Sequence, residues 1–141
     1  MRKIKFRVWD NATQKMETCI SVANLLGETV VSYLNTPDDE QPEQFDLELM
    51  MSIGRVDKND KDMFEGDIVP VDFSFDKWGP HDFKGYGVIN GVIEFCATSN
   101  RYIIKFPEST RYDVISTEFG YSRQDQLEVI GNVYENPELI S

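Results

Sequence analysis

The sequence has little with which to do covalent or metal chemistry. His81 is the only histidine. That excludes a site built on several imidazoles, and its acidic neighbours Asp72, Asp76 and Asp82 match no recognised metal-ligand spacing. Cysteine is equally scarce. Cys19 and Cys96 are the only two, neither lies in a CxxC pair, and both read as small apolar core fillers. No apolar run is long enough to cross a bilayer. The basic stretch Arg2, Lys3, Ile4, Lys5, Phe6, Arg7 has no apolar segment behind it, so it does not read as a secretory signal. The expectation is a cytoplasmic protein with no membrane partner and no cofactor. Gly85, Gly87 and Gly91 lack a following Lys-Ser/Thr and a helix to aim at a phosphate. They read as tight bends at sheet corners.

Positive charge is also short. Lys and Arg total 14 against 25 Asp and Glu, a formal net charge of −11. Such a surface repels phosphate backbones, which makes nucleic acid an unfavoured partner. Two exceptions stay open. The Lys3, Lys5 and Arg7 face with nearby Trp9 could stack and neutralise a single strand. Conversely, Asp38, Asp39, Glu40 and Glu43 could imitate a nucleic-acid backbone toward a basic protein.

What is present is strand-forming material. Hydrophobic residues make up 40% and aromatic residues 12%, enough for a folded core in 141 residues. Ile4, Phe6 and Val8 alternate with Lys3, Lys5, Arg7 and Trp9, the period of a half-buried strand. Its lysines suit a solvated edge. After the Asp10–Thr13 turn, Lys15 to Ile20 returns as a hairpin arm. Ser21 to Gly27 reads as one short helix, with Ser21 as N-cap and Gly27 as C-cap. Val30 to Leu34 form a strand. Residues 35–44 contain no apolar residue and read as a solvated loop, and Phe45, Leu47 and Leu49 open a strand running to about Ile53. Asp57 to Lys61 is a polar turn.

Beyond it, Gly66-Asp67 is a tight turn entering a strand through Val69, Val71, Phe73 and Phe75, with Pro70 requiring an edge or bulge. Val88-Ile89, Gly91 to Phe95, Tyr102 to Phe106, Tyr112 to Ile115 and Leu127 to Tyr134, the last interrupted by Gly131, read as further strands. Pro137 to Ile140 read as a closing helical turn. The fold class expected is mainly β (α+β). A small barrel occupies residues 57–141, behind a smaller α+β subdomain at residues 1–56.

Three blocks of these residues resemble the YopX family of phage and prophage proteins. The first is Ile4-Lys5-Phe6-Arg7-Val8-Trp9-Asp10 with Lys15-Met16. The second is Asp57-Lys58-Asn59-Asp60-Lys61 with Phe64-Glu65-Gly66-Asp67-Ile68-Val69. The third is Gly91-Val92-Ile93-Glu94-Phe95 with Glu128 to Leu139. Together they span nearly the whole chain. The family turn usually carries glycine where this chain has Asp60, and aspartate tolerates the left-handed conformation there. The resemblance implies that the C-terminal barrel is SH3-like, that the chain forms oligomers, and that no known reaction carries over.

The candidate interaction surface is the aromatic loop, with Phe75, Trp78, His81, Phe83 and Tyr86. Loops of this kind grip a peptide or a base, or else cover a barrel end or a subunit interface. Glu65, Gly66 and Asp67 could be a paired-carboxylate site. The stronger reading makes them a structural turn braced by Asp67 through backbone N–H groups. No catalytic constellation stands out. The functional expectation is a non-enzymatic phage accessory protein that binds an unidentified protein partner and forms homo-oligomers. The alternatives are a nucleic-acid-binding module and an acidic nucleic-acid mimic.

Overall fold

A computed structural model describes residues 5–72, 88–98, 100–106, 112–114 and 127–140, with the backbone only at 72 and 112–114. The protein is mainly β, and among the described residues its helical structure is confined to short 3₁₀ turns. The chain divides into two units, Met1–Ser52 and Ile53–Ser141. The division falls inside a strand, β5, upstream of the polar turn at which the sequence reading places it.

In the first unit, β1 (Phe6–Asp10) pairs antiparallel with β2 (Lys15–Glu17) on one side and β5 (Leu47–Val56) on the other. A strand paired on both sides is not an edge. Nor is one of its faces solvated: Arg7, Val8, Trp9 and Asp10 are all buried. The expected basic face is therefore corrected at two positions. Arg7 is only 7% exposed, with its Nε donating to Met50 Sδ at 3.4 Å, and Trp9 is 5% exposed. Lys5 is exposed, and Lys3 lies outside the described residues.

The expected helix at Ser21–Gly27 is also corrected. Its residues form β3 (Ile20–Leu25), which pairs with β4 (Glu28–Tyr33), Val22 facing Val31 and Ala23 facing Val30. Helix caps at both ends cannot outweigh a β-branched partner strand waiting two residues away. Leu26 and Gly27 make the two-residue turn at φ of 54° and 84°. Positive φ at both positions is the geometry that matches the twist of a hairpin. Asparagine or glycine suits the first of them, and Leu26 there is fully exposed as well.

The polar loop that follows contains 3₁₀ turns at Asp38–Glu40 and Gln44–Asp46. Phe45 belongs to the second turn and is 81% exposed, so the strand expected from Phe45 begins at Leu47 instead. This loop supplies β4 with side-chain partners. The Gln44 amide accepts from Val31 N–H (2.8 Å) and donates to Val31 C=O (2.7 Å). The Gln41 amide does the same for Tyr33, at 2.7 and 2.9 Å. Each glutamine thus stands in for one residue of a neighbouring strand.

In the second unit, β6 (Asp62–Phe64) follows the polar turn. A five-stranded antiparallel sheet then forms from β7 (Asp67–Asp72), β8 (Val88–Cys96), β9 (Arg101–Lys105), β10 (Tyr112–Val114) and β11 (Gly131–Asn132), in the order β10-β9-β8-β7-β11. Pro70 is tolerated for a simple reason. β11 pairs only with Asp67 and Ile68, so at Pro70 the strand β7 has a neighbour on one side among the described residues, β8. A missing N–H is harmless at such a local edge. The core gathers Ile53, Met63, Val69, Val71, Ile93, Ile104, Phe106, Leu127 and Val129. The strand expected over Leu127–Tyr134 shrinks to Gly131–Asn132. Side chains claim the flanking N–H groups: Asp57 takes that of Val129, and Asn132 takes those of Tyr134 and Glu135. Pro137–Ile140 forms a closing 3₁₀ turn.

Gly91 is not at a sheet corner. It sits within β8, opposite Val69. A methyl there would collide with Ile104 Cγ2 and come within 3.0 Å of the Phe106 ring. Both neighbours are 1% exposed and have nowhere to retreat. Gly91→Ala should destabilise the second unit by about 1–3 kcal/mol through overpacking, read from denaturant midpoints. Leu26→Asn should act the other way, stabilising the first unit by about 1 kcal/mol because asparagine accepts the left-handed turn more readily. An unchanged or lowered midpoint for that variant would contradict the turn assignment.

Candidate functional site

The aromatic loop residues Phe75, Trp78, His81, Phe83 and Tyr86 lie outside the described residues. The Glu65-Gly66-Asp67 turn lies within them, between β6 and β7. Gly66 takes φ of 86°, which an L side chain resists. Its N–H donates to Ile93 C=O at 2.8 Å, and its C=O accepts from Val133 N–H at 2.9 Å. Asp67 is wholly buried, and its Oδ2 accepts the Phe64 N–H at 2.8 Å. Glu65 is half-buried. The turn thus ties β8 and the segment after β11 to the start of β7.

A second carboxylate does more. Asp57 ends the β5 side of the polar turn and is 6% exposed. Its Oδ1 accepts the N–H groups of Asn59 and Lys61, both at 2.9 Å. Its Oδ2 accepts the N–H of Val129, also at 2.9 Å and 72 residues away in the chain. Lys58 N–H donates to Leu127 C=O at 3.0 Å beside it. At the rim, Glu128 meets Lys58 Nζ at 3.3 Å and Asn59 Nδ2 at 3.2 Å. Asp60 closes the turn at φ of 61°, the left-handed conformation expected of it. Burial alone would raise the Asp57 pKa. The three backbone N–H groups and the Lys61 charge outweigh it, so the carboxyl sits below its ordinary value.

Two further polar clips follow the same logic. Asn132 is 7% exposed, accepts from Tyr134 and Glu135 N–H through Oδ1, and donates to Glu135 Oε1 at 3.0 Å. In the first unit, Asp10 is 3% exposed and accepts Ala12 N–H at 2.9 Å through Oδ1 and the Tyr33 hydroxyl at 2.6 Å through Oδ2. Burial pushes the Asp10 pKa up, but the Tyr33 hydroxyl and the Ala12 and Thr13 N–H groups bring it below normal. Burial and the Asp10 carboxylate together raise the Tyr33 pKa. The local half of each device is readable from sequence, since aspartate and asparagine at a turn bond N–H groups two residues on. The long-range half, Val129 to Asp57 or Tyr33 to Asp10, carries no sequence signal.

The remaining candidates fall out separately. Cys19 is exposed, not a core filler, while Cys96 is half-buried. Among the described residues, no three His, Cys, Asp or Glu side chains converge to hold a metal ion. No helix among them is long and apolar enough to cross a membrane.

The fold and its clips define a class: a mainly β protein whose buried carboxylates fasten turns to distant strands. The profile of the YopX protein family matches residues 5–141, and the chain belongs to that family. Among solved structures it is similar to protein yopX from Bacillus subtilis, with 22% identity, a TM-score of 0.56 and full coverage of both chains. It is likewise similar to protein EF1440 from Enterococcus faecalis, with 22% identity, a TM-score of 0.51 and full coverage of both. At that identity the likeness is one of fold. No curated protein matches the chain.

Asp57→Asn keeps the Oδ1 acceptor but turns an NH₂ toward the Val129 N–H. It should cost about 2–3 kcal/mol at neutral pH, the loss of a charge-assisted bond with a buried donor left unmet. A carboxyl whose pKa is depressed by folding stabilises fully above its unfolded value, near 4, and loses that contribution as pH falls through the lower folded value. The gap between wild type and Asp57→Asn should therefore be constant from pH 8 to about 5 and shrink below about 4. Urea titrations across that range measure it, and a gap that widens on acidification would contradict the assignment.

Proposed function

We propose that the chain is a phage or prophage accessory protein that works in the host cytoplasm by protein–protein contact and not by turning over a substrate. The observation that supports this most directly is the use made of its buried carboxylates. A general acid or base needs a carboxyl open to a substrate proton. Asp10 and Asp57 have both oxygens engaged by turn N–H groups, a tyrosine hydroxyl or a distant strand, and Asp67 braces its own turn. These groups hold loops in place, which is what a presenting scaffold requires.

In this reading the second unit is an SH3-like small barrel. Its order β10-β9-β8-β7-β11 is a four-strand meander whose fifth strand returns to flank the first. The loop carrying Phe75, Trp78, His81, Phe83 and Tyr86 is the contact surface for the unidentified partner, on the strength of its aromatic composition. The nucleic-acid alternative is weakened, because Arg7 and Trp9 are buried and cannot serve a strand from solvent. The mimic alternative keeps Asp38, Asp39 and Glu40, exposed together on one 3₁₀ turn.

Purified protein incubated with single-stranded DNA and RNA over a salt series should show no binding that weakens with salt. Used as bait in host-cell lysate, it should retain a defined protein, and Trp78→Ala with Phe83→Ala should release it while leaving the folded signal intact. Salt-sensitive strand binding, or turnover of a metabolite pool followed by NMR, would overturn the proposal.

A further inference from the structure

The two edges of the β3–β4 hairpin are treated differently. On β4, the outward backbone groups of Val31 and Tyr33 are occupied by the Gln44 and Gln41 side-chain amides. Val31 faces Val22 and Tyr33 faces Ile20 across the hairpin, and Thr29 faces Asn24. In an antiparallel pair, residues whose pairing groups point away from each other alternate with those that bond each other. Since Val31 and Tyr33 turn outward on one side, Val22 and Asn24 turn outward on the other. Their N–H and C=O groups meet no partner among the described residues, and β4 is the only strand paired with β3 there. Ile20, the third outward residue, already donates its N–H to Thr18 C=O at 3.0 Å.

An open strand edge invites pairing, and proteins usually defend it with lysine, proline or a covering loop. β4 has the covering loop. β3 reads Ile-Ser-Val-Ala-Asn-Leu, with no charge and no proline. We propose that β3 is the docking edge for a second copy of this chain. The copies pair antiparallel about a two-fold axis at Ala23, with Val22 of each opposite Asn24 of the other. This deepens the protein-binding reading by giving its oligomeric part a surface.

Three features select a second copy as the occupant. First, the register pairs both residues whose N–H and C=O are open: Val22 and Asn24 of one copy exchange bonds with Asn24 and Val22 of the other. Second, it is compatible with the charge. A chain of net −11 repels its own copy over most of its surface, and β3 offers six consecutive residues without an acid. Third, the exposed face becomes self-complementary. Ala23 faces Val30 within the hairpin, so the axis brings together an uncharged row of Val30, Ala23 and their two symmetry mates. Leu25, 59% exposed, shares that face and falls opposite Ser21 of the other copy, diagonal to Ala23. A symmetric interface of this kind is isologous and closes at two.

Sedimentation equilibrium on the full chain should show a monomer–dimer equilibrium. It should tighten as salt rises, because screening relieves the acidic repulsion while leaving backbone bonds unaffected. Ala23→Lys places two like charges across the axis on an exposed face, and Asn24→Pro removes an outward N–H that the hairpin itself does not use. Each should weaken dimerisation by about tenfold or more with the circular dichroism spectrum unchanged. Register is read by cross-linking. In a Cys19→Ser, Cys96→Ser background, Ala23→Cys should oxidise to a covalent dimer, since residue 23 meets its own mate in a close, non-hydrogen-bonded pair. Ser21→Cys, which faces Leu25 of the other copy, should not. A strict monomer at high concentration, a dimer indifferent to both edge variants, or cross-linking through Ser21→Cys instead would each overturn the pairing. A monomer that still retains a lysate protein would sink this pairing alone and leave the protein-contact reading standing.

Discussion

A carboxylate removed from water loses several kcal/mol of hydration, and a fold that buries one must return that energy through directed bonds. At Asp57 the return comes from three backbone N–H groups, two in its own turn and one from Val129. The N–H groups gain as well, because a buried donor without an acceptor is nearly as unfavourable as the stranded charge. Much of the second unit hangs on this exchange. The β5–β6 turn, the approach to β11 and the placement of Leu127 and Val129 in the core are all set by where two oxygens point. The short β11 follows too, since a strand whose N–H groups are claimed by side chains cannot extend its ladder.

The same economy of polar groups runs through the first unit. There the problem is the edge of a two-stranded hairpin, which is marginal alone in water. Gln41 and Gln44 act as detached pieces of a third strand, each meeting one residue's donor and acceptor with a single amide. Tyr33 then anchors the hairpin to β1 through Asp10. Among the described residues the opposite edge receives no such cover. That asymmetry, more than any side chain in isolation, marks the hairpin as a place where something else pairs.

The functional reading rests on what the polar groups are already doing. Asp67, one half of the carboxylate pair that the sequence offers for acid–base work, is in the structure a fastener of its own turn. The family membership is consistent with a scaffold and adds no chemistry to it. The expected contact surface is defined by its aromatic rings, and the burial of Trp9 shows how composition alone can mislead: a ring beside three basic residues is core.

Period-two alternation and turn chemistry were enough to read a mainly β chain, the polar turn of Asp57 to Lys61, the Gly66-Asp67 corner and the strand segments within β7, β8 and β9; the left-handed Asp60 came from the family resemblance. Those signals are local, because backbone sterics and side-chain-to-backbone bonds act within a few residues. Three matters were decided only by tertiary structure. Ser21–Gly27 became a strand because Val30 and Val31 lay opposite it. β1 became an interior strand because β2 and β5 pair with it on either side. Gly91 became indispensable because Ile104 and Phe106 close over it. In each case the deciding atoms come from elsewhere in the chain. Local propensity differs by about 1 kcal/mol or less per residue, while burying or overpacking one side chain is worth about 1–3 kcal/mol. The distant partner therefore wins.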